Sequence, residues 1–166
     1  MSNEVGGFYV GTARRLGVPL AGLLAECGVR APSKGGGADQ LVARSVDGMT
    51  LGSPVEDVMD GRDAMLAVGM NGEPLPFAHG YPVRMVVPGL YGYVSACKWI
   101  TEIELTTFDA YDPYRVKRKW APRAPIKTQS RIDRATDGTA AVQTEERART
   151  IPDGASGRHS VFVTVP

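Results

Sequence analysis

Three side chains that can hold an anion lie in one segment rich in glycine and proline, residues 70–99. They are His79, Arg84 and Lys98, and they stand among short apolar runs in MNGEPLPFAHGYPVRMVVPGLYGYVSACKW. Arginine offers a planar fork of donors to phosphate or carboxylate, lysine offers a point charge, and a histidine nitrogen can donate to an oxygen. Irregular backbone held by a rigid scaffold is a common place for ligands to bind. The segment therefore presents a few polar side chains to a ligand.

Short strands and helices are predicted on both sides of this segment. Apolar periodicity predicts strands at 41–46, 64–70, 84–87 and 99–106, and helices at 18–28 and 54–59. Ser53 is predicted as the N-cap of the second helix, with Pro54 at its first helical position. Because strands and helices mix without a βαβ rhythm, the predicted fold class is α+β, a mixed β-sheet with short helices and long irregular loops.

Turns and tails are predicted from glycine, proline and small polar residues. Asn71-Gly72 predicts a tight turn, and Pro32 with three glycines predicts a mobile loop at 31–38. Residues 134–157 are polar and poor in aromatics, which predicts a linker or disorder, and 160–165 could form one strand. We therefore expect one domain at 1–133 followed by a tail at 134–166.

Composition excludes several classes of protein. Hydrophobic residues make up 43% and charged residues 22% of 166 residues, which suits one globular domain. The first residues lack the pattern of a signal peptide, and no apolar run is long enough for a membrane span. Cys27 and Cys97 have no CxxC spacing, so a zinc site is not expected, and burial is the default prediction for both thiols.

Positive charge is concentrated in one stretch. Residues 111–134 carry eight basic and two acidic side chains, a local net charge of +6. Such a stretch can meet phosphate, an oxyanion or nucleic acid. Tyr114 and Trp120 interleave with the charge, as in proteins that stack single-stranded bases, so a nucleic-acid binder is one alternative.

The order and spacing of four motifs resemble the molybdopterin-dependent oxidoreductases of the sulfite oxidase superfamily. The motifs are MNGEPLP, HGYPVR, VVPGLYG and KW. The resemblance runs from Ser2 to about Asp133, roughly four-fifths of the chain, and looks closest to bacterial members. It implies a partial molybdopterin-binding fold with molybdopterin as the cofactor. It also implies that the basic stretch borders an anionic substrate channel, so we expect no nucleic-acid partner.

The resemblance assigns cofactor contacts to five residues. His79 and Arg84 correspond to the family's histidine and arginine that contact the pterin and its phosphate. Ser95 and Lys98 match a serine and a lysine that also bind the cofactor, and Asp47 in SVDG matches a pterin-contacting aspartate. No catalytic residue is assigned.

Other positions depart from the family pattern. The family's molybdenum-ligating cysteine directly precedes a stretch like Ser2–Gly7, and Met1 stands where relatives have valine. We therefore expect the metal ligand to be absent, through a wrongly assigned start or a true truncation. Arg15 replaces a tryptophan that lines the substrate pocket, and Trp120 replaces an active-site tyrosine. Residues 134–166 do not resemble the family's C-terminal immunoglobulin-like domain.

Two functions remain open from the sequence. The first is the cofactor-binding part of a molybdenum-dependent oxidoreductase, whose complete enzyme acts on a small oxyanion or a similar molecule. The second is an inactive binding or interaction module, or a remnant, that keeps the fold. Strand edges left open in a partial domain also predict self-association.

Overall fold

The computed structural model describes residues 13–127, and those as far as Ile126 form one compact unit. The strands in this range are β1 Arg15–Pro19, β2 Gln40–Ser45, β3 Thr50–Pro54, β4 Met65–Met70, β5 Glu73–Pro74, β6 Arg84–Val86 and β7 Ile100–Thr106. The helices are α1 Leu20–Glu26, α2 Val55–Met59 and α3 Gly92–Ser95, with 3₁₀ turns at Pro32–Lys34, Phe77–His79 and Val116–Arg118. No helix in the described part of the chain is long and apolar enough to cross a bilayer.

The strands form two sheets in which the pairings are antiparallel. In the first sheet β4 pairs with β1 on one side and with β5 and β6 on the other. In the second sheet β2 lies between β3 and β7. Strands with few short helices and long connections confirm the predicted α+β class, although the strands divide between two sheets.

The core forms where β2 meets the helices and β6. Leu41, Val42 and Ala43 of β2 are essentially inaccessible, because this strand is central in its sheet and covered on its faces. Val55 of α2 and Met85 of β6 are equally buried, in one cluster with Leu41 and Ala43. Burying such side chains contributes roughly 1.5–3 kcal/mol each, so this cluster fixes the strands that flank the site.

Ser53 has a role different from the predicted helix cap. It lies in β3, is fully buried, and donates its hydroxyl to the carbonyl of Val94 in α3. Pro54 takes the N-cap position of α2, where no side chain caps the helix. The capping prediction was wrong because a buried strand serine satisfies its hydroxyl across the core instead of at the helix end.

The remaining local predictions had mixed outcomes. Helix α1 begins at Leu20, two residues later than predicted, because Val18 is still paired with Leu66 of β4. The turn at Asn71-Gly72 is confirmed, with φ of 56° and 89°. Cys27 is exposed, so its predicted burial was wrong: it follows the last turn of α1 on the solvent side. The predicted tail and its strand at 160–165 lie outside the described residues.

Candidate functional site

Three side chains hold the turn Phe77–His79 by its successive carbonyls. The bonds run from Trp99 Nε1 to Phe77 O (3.0 Å), from Lys98 Nζ to Ala78 O (2.7 Å) and from Arg84 Nη1 to His79 O (3.2 Å). The aromatic rings of Phe77 and Trp99 also pack together, with 5.6 Å between their centroids. The turn is therefore fixed to the start of β6 and to the segment that leads into β7, and this brings His79, Arg84 and Lys98 to one place.

Gly80 allows the close approach at the centre of this arrangement. Its φ is +106°, a conformation that other residues rarely adopt. A Cβ atom at this position would lie 3.1 Å from the Cβ atoms of both Arg84 and Lys98. The missing side chain thus lets two cationic residues flank the same turn.

The cluster carries positive charge without matching carboxylates. Burial, and then the charge of Arg15, lowers the pKa of Arg84, and burial, and then the charge of Arg84, lowers the pKa of Lys98. Within residues 13–127, no carboxylate oxygen lies within 4.0 Å of a side-chain nitrogen of Arg15, Arg84 or Lys98. Arg84 Nε is buried and has no hydrogen-bond partner in the same part of the chain. An anion would satisfy both the charge and the donor.

Asp47 lies on the exposed turn between β2 and β3. Its Oδ1 accepts a hydrogen bond of 3.0 Å from Met49 N, and this bond is the main reason that its pKa is lowered. The preceding residue, Val46, donates its backbone N–H to Trp99 O at 3.0 Å, so the turn lies beside the segment that contains Lys98. Asp47 is thus an ionised acceptor near the cluster, separate from the three tethers of the turn.

Ser95 and His79 have contrasting environments. Ser95 is buried in α3, and its hydroxyl lies 3.1 Å from the carbonyls of both Leu90 and Tyr91, to which it donates. The hydroxyl proton is therefore used for backbone carbonyls of the same segment. Toward another partner, the Ser95 oxygen can only accept a hydrogen bond. His79 is exposed at the end of the turn, and its carbonyl accepts from Arg84.

Sequence reasoning missed Gly80 and Trp99 as parts of the site. The histidine–glycine pair in HGYP offered a signal for Gly80, since glycine is the usual residue where backbone must have a positive φ. For Trp99, the only hint was its place next to Lys98. Its indole bond to Phe77 O depends on folding over 22 residues, which spacing does not reveal.

Comparison with known proteins identifies the family to which the chain belongs. The family model for the oxidoreductase molybdopterin binding domain matches residues 1–114. The chain belongs to this family. The resemblance to the sulfite oxidase-type superfamily is thereby confirmed, whereas the closer likeness to bacterial members stays a prediction.

Named relatives of this molybdopterin-binding domain are much longer proteins. It is 39% identical over 121 residues to a nitrate reductase [NADH] of Spinacia oleracea, and the match covers 68% of this chain and 13% of that protein. It is 36% identical over 121 residues to inducible nitrate reductase [NADH] 2 of Glycine max, with the same shares covered. Among solved structures, sulfane dehydrogenase SoxCD from Paracoccus pantotrophus is 40% identical with a TM-score of 0.45, over 54% of this chain and 21% of that one.

The cationic cluster of this molybdopterin-binding domain fits the phosphate end of a pterin cofactor. Arg84 can present a second donor from its orphaned Nε, and Lys98 keeps hydrogens beyond the one given to Ala78 O. Gly80 itself is buried, and the close approach of Arg84 and Lys98 to it places their donors beside the same turn. Charge and donors therefore agree with an anionic group.

Cys97 lies beside this cluster with a thiol that stays protonated. It is fully buried, and burial, and then the charge of Asp47, raises the pKa of Cys97 to about 11. A metal ligand must be a thiolate, so this environment opposes metal binding by Cys97. In the described part of the chain no three His, Cys, Asp or Glu side chains converge on a possible metal position.

Aromatic residues of the basic stretch contact the chain's own cations. Arg118 lies 3.4 Å from the ring centroid of Tyr114, and Arg115 lies 5.1 Å from that of Trp120. These contacts occupy ring faces that stacked bases would need. Binding of nucleic acid was not expected from the sequence, and that expectation stays a prediction.

An open cleft of about 510 Å³ is lined by other described residues than the five predicted for the site. It is lined by Arg62, Asp57 and Asp60, together with the loop at 88–90 and Pro125. Arg62 binds both carboxylates, at 2.9 and 2.6 Å, and donates to Pro88 O at 3.0 Å. The charges of Arg62, Asp57 and Asp60 therefore already pair with one another. The Arg62 contacts serve to connect α2 with the loop at 88–90.

Proposed function

We propose that this chain holds the molybdenum cofactor of an oxidoreductase through the cluster around Gly80. The observation that carries the proposal is the pair of cations Arg84 and Lys98, which have no carboxylate oxygen within 4.0 Å among residues 13–127, together with the orphaned buried Nε of Arg84. Such a cluster costs stability through repulsion and desolvation unless an anion joins it. When bound, the cofactor supplies redox chemistry at its metal.

Each residue has a distinct role in this proposal. Arg84 donates through its guanidinium fork to the phosphate, and Lys98 adds a point charge on the opposite side of Gly80. His79, which is exposed at the end of the turn, donates to the phosphate or to the pterin edge. Asp47 accepts from the N–H groups of the pterin ring, since its lowered pKa keeps it ionised. Ser95 can only accept, because its proton is committed to backbone carbonyls.

The substrate of the complete enzyme follows from the same charge. A positive cluster attracts anions and raises their local concentration. We propose a small oxyanion or a similar molecule as the substrate. The relatives are named as a nitrate reductase and a sulfane dehydrogenase, and this chain spans only 13% and 21% of those proteins.

The test is the pterin content of the purified full chain. The chain is expressed in a host that makes the cofactor, and bound pterin is measured by its fluorescence after acid oxidation. Arg84→Gln and Lys98→Gln each remove a charge-assisted hydrogen bond, so each should lower pterin content roughly tenfold or more. Arg44→Gln is the matched control, because Arg44 is half-buried like the tested cations but is paired with Glu102 at 3.0 Å. Wild-type chain without pterin above background would contradict the proposal.

A binding module without metal chemistry is the second candidate. The observation that favours it is Cys97, whose thiol lies near the cluster but is fully buried and so is not presented to a metal. Metal analysis of the same samples separates the two candidates. Pterin with stoichiometric molybdenum supports the oxidoreductase, and pterin without molybdenum supports the binding module.

A further inference from the structure

A cavity of about 370 Å³ lies between the loop that follows α1 and the end of α2. Val29, Ala31 and Met59 line it with apolar side chains, and Arg30 and Lys34 line it with positively charged ones. None of these residues belongs to the proposed cofactor site. The volume lies within the range of roughly 300–1,000 Å³ that is usual for pockets that bind small molecules.

Hydrogen bonds fix the loop that forms one wall of this cavity. The carboxylate of Glu56 in α2 accepts from Ser33 N at 3.0 Å and from Ser33 Oγ at 2.6 Å. Gly36 N donates to Ala31 O at 3.0 Å, and a Cβ atom at Gly36 would overlap Arg30 O, so glycine is required there. The cavity is therefore formed before any ligand arrives.

The floor of the cavity is apolar and adjoins the hydrophobic core. Ala31 is buried, and Val29 and Met59 are half-buried side chains that pack against the core. Covering their remaining surface with hydrocarbon removes it from water, which is favourable. The flexible thioether side chain of methionine also adapts to ligands of different shape. The floor therefore favours a ligand with an apolar body.

The rim of the cavity carries an excess of positive charge. Arg30 and Lys34 are exposed, and within residues 13–127 neither has a carboxylate oxygen within 4.0 Å of its side-chain nitrogens. The charge of Lys34 reaches Glu56, but that carboxylate is already hydrogen bonded to the loop. Nearby Asp60 is bound to Arg62 at 2.6 Å. Two cations beside one carboxylate leave room for one negative charge from a ligand.

We propose that this cavity binds a small carboxylate with an apolar body, such as a medium-chain fatty acid. The carboxylate accepts hydrogen bonds at the rim, where Arg30 and Lys34 offer donors, and the hydrocarbon covers Val29 and Met59. A neutral apolar molecule would leave the cations without an anion, and a small hydrophilic anion would leave the apolar floor in water. The site is independent of the proposed function, because it shares no residue with the cofactor cluster.

Titration of octanoate into the purified full chain tests this proposal by calorimetry at low ionic strength. The wild-type chain should bind octanoate, and the double variant Arg30→Gln with Lys34→Gln should bind it about fivefold more weakly or worse. Lys117→Gln with Lys119→Gln is the matched control, because it also removes two exposed positive charges, and its affinity should change less than twofold. Since all four side chains are exposed, both double variants should keep the wild-type thermal transition. Absence of binding to the wild-type chain, or an equal loss in both double variants, would overturn the proposal.

Two related ligands separate the apolar contacts from the charge. Acetate keeps the carboxylate without the chain, so it should bind at least tenfold more weakly than octanoate. Octanol keeps the chain without the charge, so it should bind about fivefold more weakly. Acetate or octanol that binds as tightly as octanoate would overturn the proposed class of ligand.

Methionine methyl signals in an NMR spectrum locate the bound octanoate. The signal of Met59, assigned with Met59→Leu, should shift as octanoate is added, because this side chain lines the cavity. Met85 is inaccessible in the core, so its signal should stay in place. Octanoate that binds without moving the Met59 signal would place the site elsewhere and overturn the proposal.

The variant Arg84→Gln distinguishes failure of this proposal from failure of the proposed function. It should lower the pterin content and leave the octanoate affinity within twofold of the wild-type value. An octanoate affinity that falls in Arg84→Gln as far as in the double variant of the rim would overturn a separate site at the loop. Octanoate bound by a chain that never binds pterin would overturn only the cofactor site.

Discussion

At the scale of single residues, the two cysteine thiols should differ sharply in reactivity. Cys27 is exposed, whereas Cys97 is fully buried with a pKa raised to about 11, mainly by burial. At pH 8 a disulfide reagent should modify Cys27 within minutes and Cys97 only as fast as the protein opens. Absorbance of the released thiolate, followed over time, measures both phases.

Single-cysteine variants assign the phases. Cys27→Ser should remove the fast phase, and Cys97→Ala should remove the slow one. Burial raises the pKa of Cys97 in the folded chain, so protonation of this thiol favours the folded state. This contribution to the free energy of unfolding is fully present below the unfolded pKa of about 8.5 and is lost as the pH rises toward 11. A fast phase from Cys97 at pH 8 would show that the thiol is not enclosed.

The positions of His79, Arg84 and Lys98 could be predicted because their types and spacing lie within one short segment. The effect of the Arg15 charge on the pKa of Arg84 depends on how β1 and β6 pair with β4, which no local pattern in the sequence reveals. The hydrogen bond from the Ser95 hydroxyl to the carbonyl of Leu90 likewise depends on how α3 packs against the residues that precede it. Local sequence thus predicted the candidates, and long-range packing decided their surroundings.

At the scale of elements, the bond from Ser53 to Val94 should hold α3 against β3. Ser53→Ala leaves a buried carbonyl without its donor, so it should cost about 1–3 kcal/mol in free energy of unfolding. The matched control is Thr101→Val, since Thr101 also donates to a backbone carbonyl, that of Arg44, but is exposed. Urea denaturation should show a shift of about 0.5 kcal/mol or less for the control. Equal shifts would mean that burial of the Ser53 bond does not matter.

Strands with apolar runs could be predicted, and those with glycine and proline could not. Strands β2, β4, β6 and β7 were predicted to within about one residue at each end. The segment TLGSP of β3 has the composition of a loop, yet it is fully buried because β2 and α3 pack on it. Strand β1 includes Gly17 and Pro19, and it is a strand because it pairs with β4. Tertiary pairing overrides local propensity in both elements.

At the scale of the whole molecule, β1 should promote association of chains. Leu16 is 69% exposed on this strand, which pairs on one side only with β4 among the described residues. We therefore expect the full chain to sediment as larger species with rising concentration, because exposed strand edges pair with other chains. Leu16→Lys should reduce this association.

Val46→Lys is the matched control for that experiment. Val46 is 71% exposed on the turn after β2, away from the edge of β1, so its replacement should leave the sedimentation profile unchanged. Equal reduction by both variants would indicate a general effect of charge. A wild-type chain that stays monomeric at every concentration would contradict the expected association.

The tethers of the turn Phe77–His79 imply that the site stiffens when it fills. Arg84 and Lys98 each give one hydrogen to a carbonyl of the turn and keep others for a ligand, so binding adds bonds without breaking the tethers. A ligand that immobilises both side chains must therefore also restrain the backbone to which they are bonded. The amides of His79 and Gly80 would then exchange with solvent more slowly, so the turn would report occupancy of the site.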